Sequence, residues 1–321
     1  MTYEELIKET ALKDSRFVVM TAENRALLRS LAVNKELIDK GQFFDTGITE
    51  QTMIGAAAGL ALRGRIPIVH ALATFLTLRA FEFIRTDVGI GGLPVKLSSF
   101  VPGFLSDGNG PTHQAIEDVS LMRGIPGMQV FCPADEEDML LMLTDIWHSP
   151  NPSYVRLNTR KTDYKHNKNF TIGKAEIISK GDDITLLVYG MLFEETLKAK
   201  AILESSGLSV GMINMRSLKP IDEEAVLTAV KNSNLLVTIE DHFQTGGLYT
   251  ILAEIFLKNS MTADVLPLAL NEKWYKPGLL SEVLNYEGFT GEKIAERILK
   301  YMDKNTSLRG SAKQSLSSET V

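Results

Sequence analysis

Short β-rich runs alternate with helical stretches almost from one end of this chain to the other, and that alternation limits the fold more than any other feature. Residues 16–22 (RFVVMTA), 66–71 (IPIVHA), 94–99 (PVKLSS), 128–133 (MQVFCP) and 153–157 (SYVRL) read as buried strands. Helical stretches fall at 26–40, 49–63, 75–89, 114–123 and 135–148. Apolar strands joined by crossover helices are what a parallel sheet with both faces covered requires. A second series repeats the pattern, with strands at 184–190, 208–214, 235–240 and 265–270 and helices at 193–206, 223–232, 247–258 and 292–301. The expected architecture is α/β, with two doubly wound domains, and a length of 321 residues suits two compact units.

The boundaries follow from composition. Residues 1–158 form the first expected domain, and 159–170, polar, charged and without period, form a linker. Residues 171–304 form the second domain. Residues 305–321 hold five serines and little apolar mass, so they are expected to be a disordered tail.

Charge and cysteine usage exclude several function classes. Lys plus Arg is 34 against 40 for Asp plus Glu, a net charge of −6, and no long basic run offers a nucleic acid its usual footprint. No apolar stretch approaches the roughly 18 residues of a membrane helix. Met1 is followed by polar TYEELIKET rather than by a signal peptide. The single Cys132 precludes an internal disulfide framework and a cysteine-clustered metal site. The expectation is a cytoplasmic protein with no nucleic-acid or membrane partner and no metal ligands of its own.

Two segments concentrate chemistry. Residues 43–61, FFDTGITEQTMIGAAAGLA, run from a strand end through a turn to Thr49, expected as the N-cap, and then into an Ala/Gly-dense helix with Glu50 in its first turn. The small residues Ala56 to Gly59 suit a close subunit contact. Residues 107–114, DGNGPTHQ, force an irregular loop after a strand and place His113 at its end; strand-end loops of this kind bind ligands in α/β proteins.

These motifs occur in one order together with Thr74-Phe75, RGIPGM at 123–128 and PAD at 133–135. That order resembles the pyrimidine-binding half of transketolase and of deoxyxylulose-phosphate synthase. Beyond the linker, GKAE at 173–176, GDDITL at 181–186 and IEDH at 239–242 followed by Gly246-Gly247 resemble the family's C-terminal domain. The resemblance spans about residues 5–303. Full-length members also carry an N-terminal domain whose Gly-Asp-Gly motif holds Mg²⁺ and the diphosphate of thiamine diphosphate, and no Gly-Asp-Gly occurs here. The resemblance therefore implies one subunit of a split transketolase. It implies a partner, the diphosphate-binding N-terminal subunit, which holds Mg²⁺, and a heterotetramer of two copies of each chain.

The resemblance also implies roles. Glu50 is the cofactor-activating carboxyl that hydrogen-bonds N1′ of the aminopyrimidine. Phe75, Leu78 and Phe81 fall where the family stacks aromatic groups on that ring, although Leu78 is aliphatic and the i, i+3, i+6 spacing also suits a core-facing stripe. His113 lines the substrate channel as a proton shuttle or hydroxyl donor, and Glu23 approaches the cofactor or caps a helix. Arg156, Arg160 and Arg79 are candidate contacts to a substrate anion, for which guanidinium forks are suited. Glu240-Asp241-His242 reads as a capped strand-to-helix turn at an interface.

Asn109 stands where transketolases usually have Asp, and Val101 where they have His. Both changes alter the polar lining offered to a sugar, so an unusual ketose donor is as suitable as xylulose phosphate. Two other functions fit parts of the pattern. The β subunit of a 2-oxoacid dehydrogenase decarboxylating component shares the size and the FDT-x-IT-E segment, but GPTHQ and RGIPGM favour transketolase. A non-catalytic scaffold subunit would have no use for Glu50.

Overall fold

The computed structural model describes residues 1–22 and 28–318, with side chains as far as residue 304. Six strands of the N-terminal half build the first sheet: β1 (Phe17–Thr21), β2 (Phe43–Asp45), β3 (Ile66–Leu72), β4 (Lys96–Phe100), β5 (Gln129–Phe131) and β6 (Ser153–Arg156). The C-terminal half supplies β7 (Glu176–Ser179), β8 (Ile184–Val188), β9 (Val210–Asn214), β10 (Ser217–Lys219), β11 (Leu235–Phe243) and β12 (Val265–Leu270). The first sheet runs β10-β5-β6-β4-β3-β1-β2 and the second β12-β11-β8-β9-β7. All pairings are parallel except β10 with β5 and β7 with β9. Every residue of β1, β4 and β8 is buried; β1 and β8 accordingly read as apolar runs, whereas β4 buries Lys96, Ser98 and Ser99 as well.

The two halves share structure across their boundary. Strand β10 follows the second sheet's β9 in sequence but joins the first sheet at its edge. One apolar core includes Val18, Met20, Val69 and Leu97 together with Leu187, Tyr189, Met215 and Leu218. Another places Phe104 and Ile116 among Leu186, Val188 and Leu192. Apolar burial of this continuity makes the domain contact resemble an interior rather than a transient surface.

Helices cover the sheets close to the expected limits: Glu50–Leu62, Asp118–Arg123, Glu136–His148, Phe193–Ser205, Glu223–Asn232 and Leu248–Lys258. Several details differ. Among the described residues of the stretch expected as a helix over 26–40, a helix forms only at Lys35–Asp39, where Asn34 accepts a hydrogen bond from the Leu37 amide. Residues 159–170 contain neither helix nor strand. The last helix runs Gly291–Ser318, through the serine-rich stretch expected to lack structure. Lys, Gln, Leu and Ala in that stretch are compatible with a helix, and no proline interrupts it.

An unanticipated N-terminal helix, Tyr3–Lys13, opens with a Thr2–Glu5 capping box. It docks through Tyr3, whose hydroxyl lies 2.6 Å from His70 Nε2. The other ring nitrogen lies 3.0 Å from the Met20 carbonyl. Burial pushes His70 down to about 4, so a neutral ring donates to Met20 and accepts from Tyr3. Among the described residues, no helix is long and apolar enough to cross a membrane.

Candidate active site

The carboxyl ends of β2, β3 and β4 deliver the three central residues, as expected for ligand sites in parallel sheets. After β2, the Asp45 carboxylate accepts from the Gly47 amide at 2.9 Å. Gly47 adopts φ +69°, a left-handed conformation that tightens the turn without a Cβ penalty. Thr49 occupies the N-cap position but makes no side-chain cap; its hydroxyl donates to the Thr46 carbonyl at 2.9 Å. Glu50 then begins the helix and is only 2% exposed.

After β3 the chain enters a π-helical turn, Phe75–Arg79, closed by Ala80 N–H donating to the Phe75 carbonyl at 3.3 Å. Wider turns of this kind recur at functional sites. After β4 the backbone winds through 103–112 to His113. The second domain braces this loop: the Asp107 carboxylate accepts from the Leu280 amide at 2.8 Å. A Cβ on Gly110 would come within 3.1 Å of Pro277, and Gly110 has φ +72°.

These elements make one continuous set of contacts. Arg79 donates to Glu50 at 2.8 Å, and its guanidinium carbon stands 4.1 Å from the Phe75 ring centroid. Phe75 meets the His113 ring edge-on, 5.0 Å between centroids. The Thr74 hydroxyl donates to the His113 carbonyl at 2.6 Å, and Thr112 Oγ1 lies 2.8 Å from His113 Nδ1. Thr74 was not expected to orient His113; its only sequence signal was adjacency to Phe75. The donor set suits an aminopyrimidine: a buried carboxyl able to bond a ring nitrogen beside a half-buried aromatic face.

The other expected site residues are placed differently. Leu78 is 43% exposed, and Phe81 packs half-buried against the apolar core. The π-helical turn departs from α-helical geometry, so the three residues do not follow the i, i+3, i+6 spacing of an α-helical stripe. Asn109 is exposed on the loop before His113. Arg160 is half-buried and donates to Glu194 at 3.1 Å. Glu23 lies outside the described residues. Val101, where the family has His, has φ +44°, a strained conformation for a β-branched residue.

Arg156 requires correction as a substrate contact. It is 3% exposed, donates hydrogen bonds to Asp241 at 2.8 and 3.2 Å and is ion-paired with Asp118, Nε to Oδ2 3.1 Å. Burial would lower its pKa, but the two carboxylates hold it well above the ordinary arginine value. The Tyr154 hydroxyl donates to Asp118 at 2.6 Å, and the Phe104 amide donates to Asp241 at 3.3 Å. A Cβ on Gly103 would fall 1.8 Å from Asp241, so this network needs glycine there. Arg156 is thus a cation shared between the halves, with its carboxylate partners already in place.

The rest of IEDH joins the same interface. Glu240 accepts from the Leu248 and Tyr249 amides at 2.7 and 3.1 Å, capping the helix that starts at Leu248. The Ser120 amide donates to His242 Nε2 at 3.2 Å.

A second interdomain cluster carried no sequence signal beyond lone polar residues. His166 contacts Asp135 at 3.2 Å and Glu176 at 2.7 Å. Arg216 bonds Asp138 at 2.8 Å, and the Asn214 amide bonds both Asp138 and Glu176. Burial opposes charge on His166, but its bonds to the two carboxylates prevail and raise it to about 10. Asp138, His166 and Glu176 could bring ligand atoms together. The positive charges of His166 and Arg216 already occupy that position electrostatically.

Comparison with known proteins defines the class. Residues 1–164 match the transketolase pyrimidine binding domain, and residues 173–294 match the transketolase C-terminal domain. The chain belongs to the transketolase family. A Methanocaldococcus jannaschii protein named provisionally as a transketolase C-terminal section is 35% identical over 94% of this chain and 95% of its own length. A 6-deoxy-6-sulfo-D-fructose transketolase subunit from Clostridium sp. strain MSTE9 is 36% identical over 80% of each chain. A solved structure, a split gene transketolase described as an inactive beta4 tetramer, superposes with a TM-score of 0.83. It is 29% identical and covers 93% of this chain and 96% of its own.

Proposed function

We propose that this chain is the pyrimidine-binding and C-terminal-domain subunit of a thiamine-diphosphate-dependent transketolase, transferring a two-carbon ketol unit from a ketose to an aldose. The observation that carries this reading is the buried Glu50 carboxyl in one contact set with Phe75 and His113. When bound, thiamine diphosphate supplies the thiazolium carbanion and the electron sink for the transferred fragment. Glu50 holds the proton at the aminopyrimidine N1′, Phe75 presents its ring face, and His113 exchanges a proton with a donor hydroxyl. Leu78, Phe81 and Glu23 remain candidate contacts, the first two to the ring and Glu23 to the cofactor or a donor hydroxyl.

The diphosphate and Mg²⁺ are assigned to a separate N-terminal subunit, in a heterotetramer. Exposed Phe44, Ile48, Leu62 and Ile90 lie in the same domain as Glu50, and apolar groups of this kind suit a subunit contact. On the helix that Glu50 starts, Ala56 and Gly59 are exposed and would let another backbone approach. The inactive beta4 tetramer described for the split transketolase supports the need for a second subunit.

For substrate, we favour a ketose with an anionic head, phosphate or sulfonate, contacted by Arg160 and Arg79 with Asn109 at a hydroxyl. The sulfofructose transketolase subunit among the relatives supports that class. The test is calorimetric titration of thiamine diphosphate with Mg²⁺ into the chain alone and mixed with a candidate diphosphate-binding subunit. Binding only in the mixture is expected. Tight binding to the isolated chain would refute the division of the site, and no binding in either sample would refute the cofactor assignment.

A further inference from the structure

The geometry points to Arg79 as an internal stand-in for the aminopyrimidine: its guanidinium occupies the ring seat and must leave before cofactor enters. This rests on the proposed function and adds a residue-level exchange to it. The proposed seat consists of two groups, the Glu50 carboxyl and the Phe75 ring, and Arg79 contacts both. It donates to Glu50 Oε2 at 2.8 Å and lies over Phe75 at 4.1 Å from the ring centroid. A guanidinium is planar, delocalised and rimmed with N–H donors, so it offers a carboxyl and an aromatic face the same two contacts as a protonated aminopyrimidine.

Arg79 is also able to leave. Its side chain is 37% exposed, and Glu50 is the sole ion-pair partner recorded for it among the described residues. Charge on a half-exposed guanidinium is readily rehydrated, whereas Glu50, 2% exposed, would otherwise sit buried with no cation. The exchange therefore replaces one hydrogen-bonded planar donor by another, and Glu50 lacks a cation only in the short-lived state between them. The π-helical turn at Phe75–Arg79 sets the two residues on one side, with Ala80 closing the turn on Phe75 rather than on Leu76.

The test uses the assembled two-subunit complex and reads cofactor binding rather than turnover. Thiamine diphosphate with saturating Mg²⁺ is titrated by calorimetry, and association is followed by stopped-flow fluorescence. Arg79→Ala is expected to lower the apparent Kd about tenfold, the combined scale of a half-exposed ion pair and a cation–π contact. In the wild type, the observed association rate should level off at high cofactor as departure of Arg79 becomes limiting, and that plateau should disappear in the variant. Arg79→Lys, which keeps the charge without the planar fork, should fall between them and guards against a folding defect in the alanine variant. Weaker or unchanged binding in both variants, with the wild type still binding, overturns the stand-in while leaving the proposed function in place. Failure of the wild-type complex to bind at all overturns both.

Discussion

Arg79 and Arg156 each meet a carboxylate oxygen at 2.8 Å, yet they belong to different kinds of region. Arg79 is 37% exposed, stacks on one ring and is held by one acid. Arg156 is 3% exposed and is held by two acids that come from the two halves of the molecule. Burial raises the cost of every unpaired charge, so the Arg156 network acts as a unit. Exposure makes the Arg79 pair exchangeable. Distance alone therefore does not separate a structural arginine from a functional one; the number of partners and access to water do.

The largest expected effect lies at the open site. Glu50→Ala should reduce turnover of the assembled enzyme by about 10²–10⁴-fold, the scale of losing a positioned acid–base group. Its urea midpoint should change little, and steady-state kinetics beside denaturant unfolding would check both. If activity survived, the site assignment would be wrong.

At the closed network the loss should instead be stability. Arg156→Ala leaves Asp118 and Asp241 buried without their cation and should destabilise by about 3–5 kcal/mol, seen as a lower urea midpoint. Gly103→Ala tests the same region from the backbone. With φ +57° and Asp241 already in the Cβ position, it should cost about 2–4 kcal/mol.

The pH dependence probes the second cluster. His166 has a folded pKa near 10 against about 6.5 when unfolded. The folded state thus binds the extra proton, so this contribution is fully present below pH 6.5 and fades as pH rises towards 10. His166→Gln should flatten that part of a stability–pH profile measured by urea unfolding. Smallest of all, Arg160→Ala should change stability by less than about 1 kcal/mol, because its pair with Glu194 is half-solvated. If Arg160 instead binds the substrate anion, KM for an anionic ketose should rise in the same protein.

Much of the frame was legible without coordinates. The strand expected at 184–190 appears as Ile184–Val188, because a buried parallel strand imposes an apolar run. That expected at 265–270 appears as Val265–Leu270, a half-buried sheet edge whose VLPLAL run is apolar all the same. Glu50 and His113 could be named as candidates because their motifs sit at strand ends. Strands β7 and β10 were not, since at four and three residues, EIIS and SLK, they carry no such run. Leu78 and Phe81 were grouped with Phe75 by the family resemblance, and the alternative of an α-helical core stripe could not foresee the π-helical turn at Phe75–Arg79.

The sequence by itself determined the two α/β units, their family and the candidate acid and imidazole, because each is written in local pattern or a contiguous motif. Only the tertiary structure decided which arginine is buried between two carboxylates and which is half-exposed with one. Arg156 and Asp241 lie 85 residues apart, and His166 meets Glu176 only once the segment between the domains has folded against both. A charged side chain has no fixed role along the chain: its desolvation and its partners come from residues distant in sequence, and these set its pKa and its freedom to move.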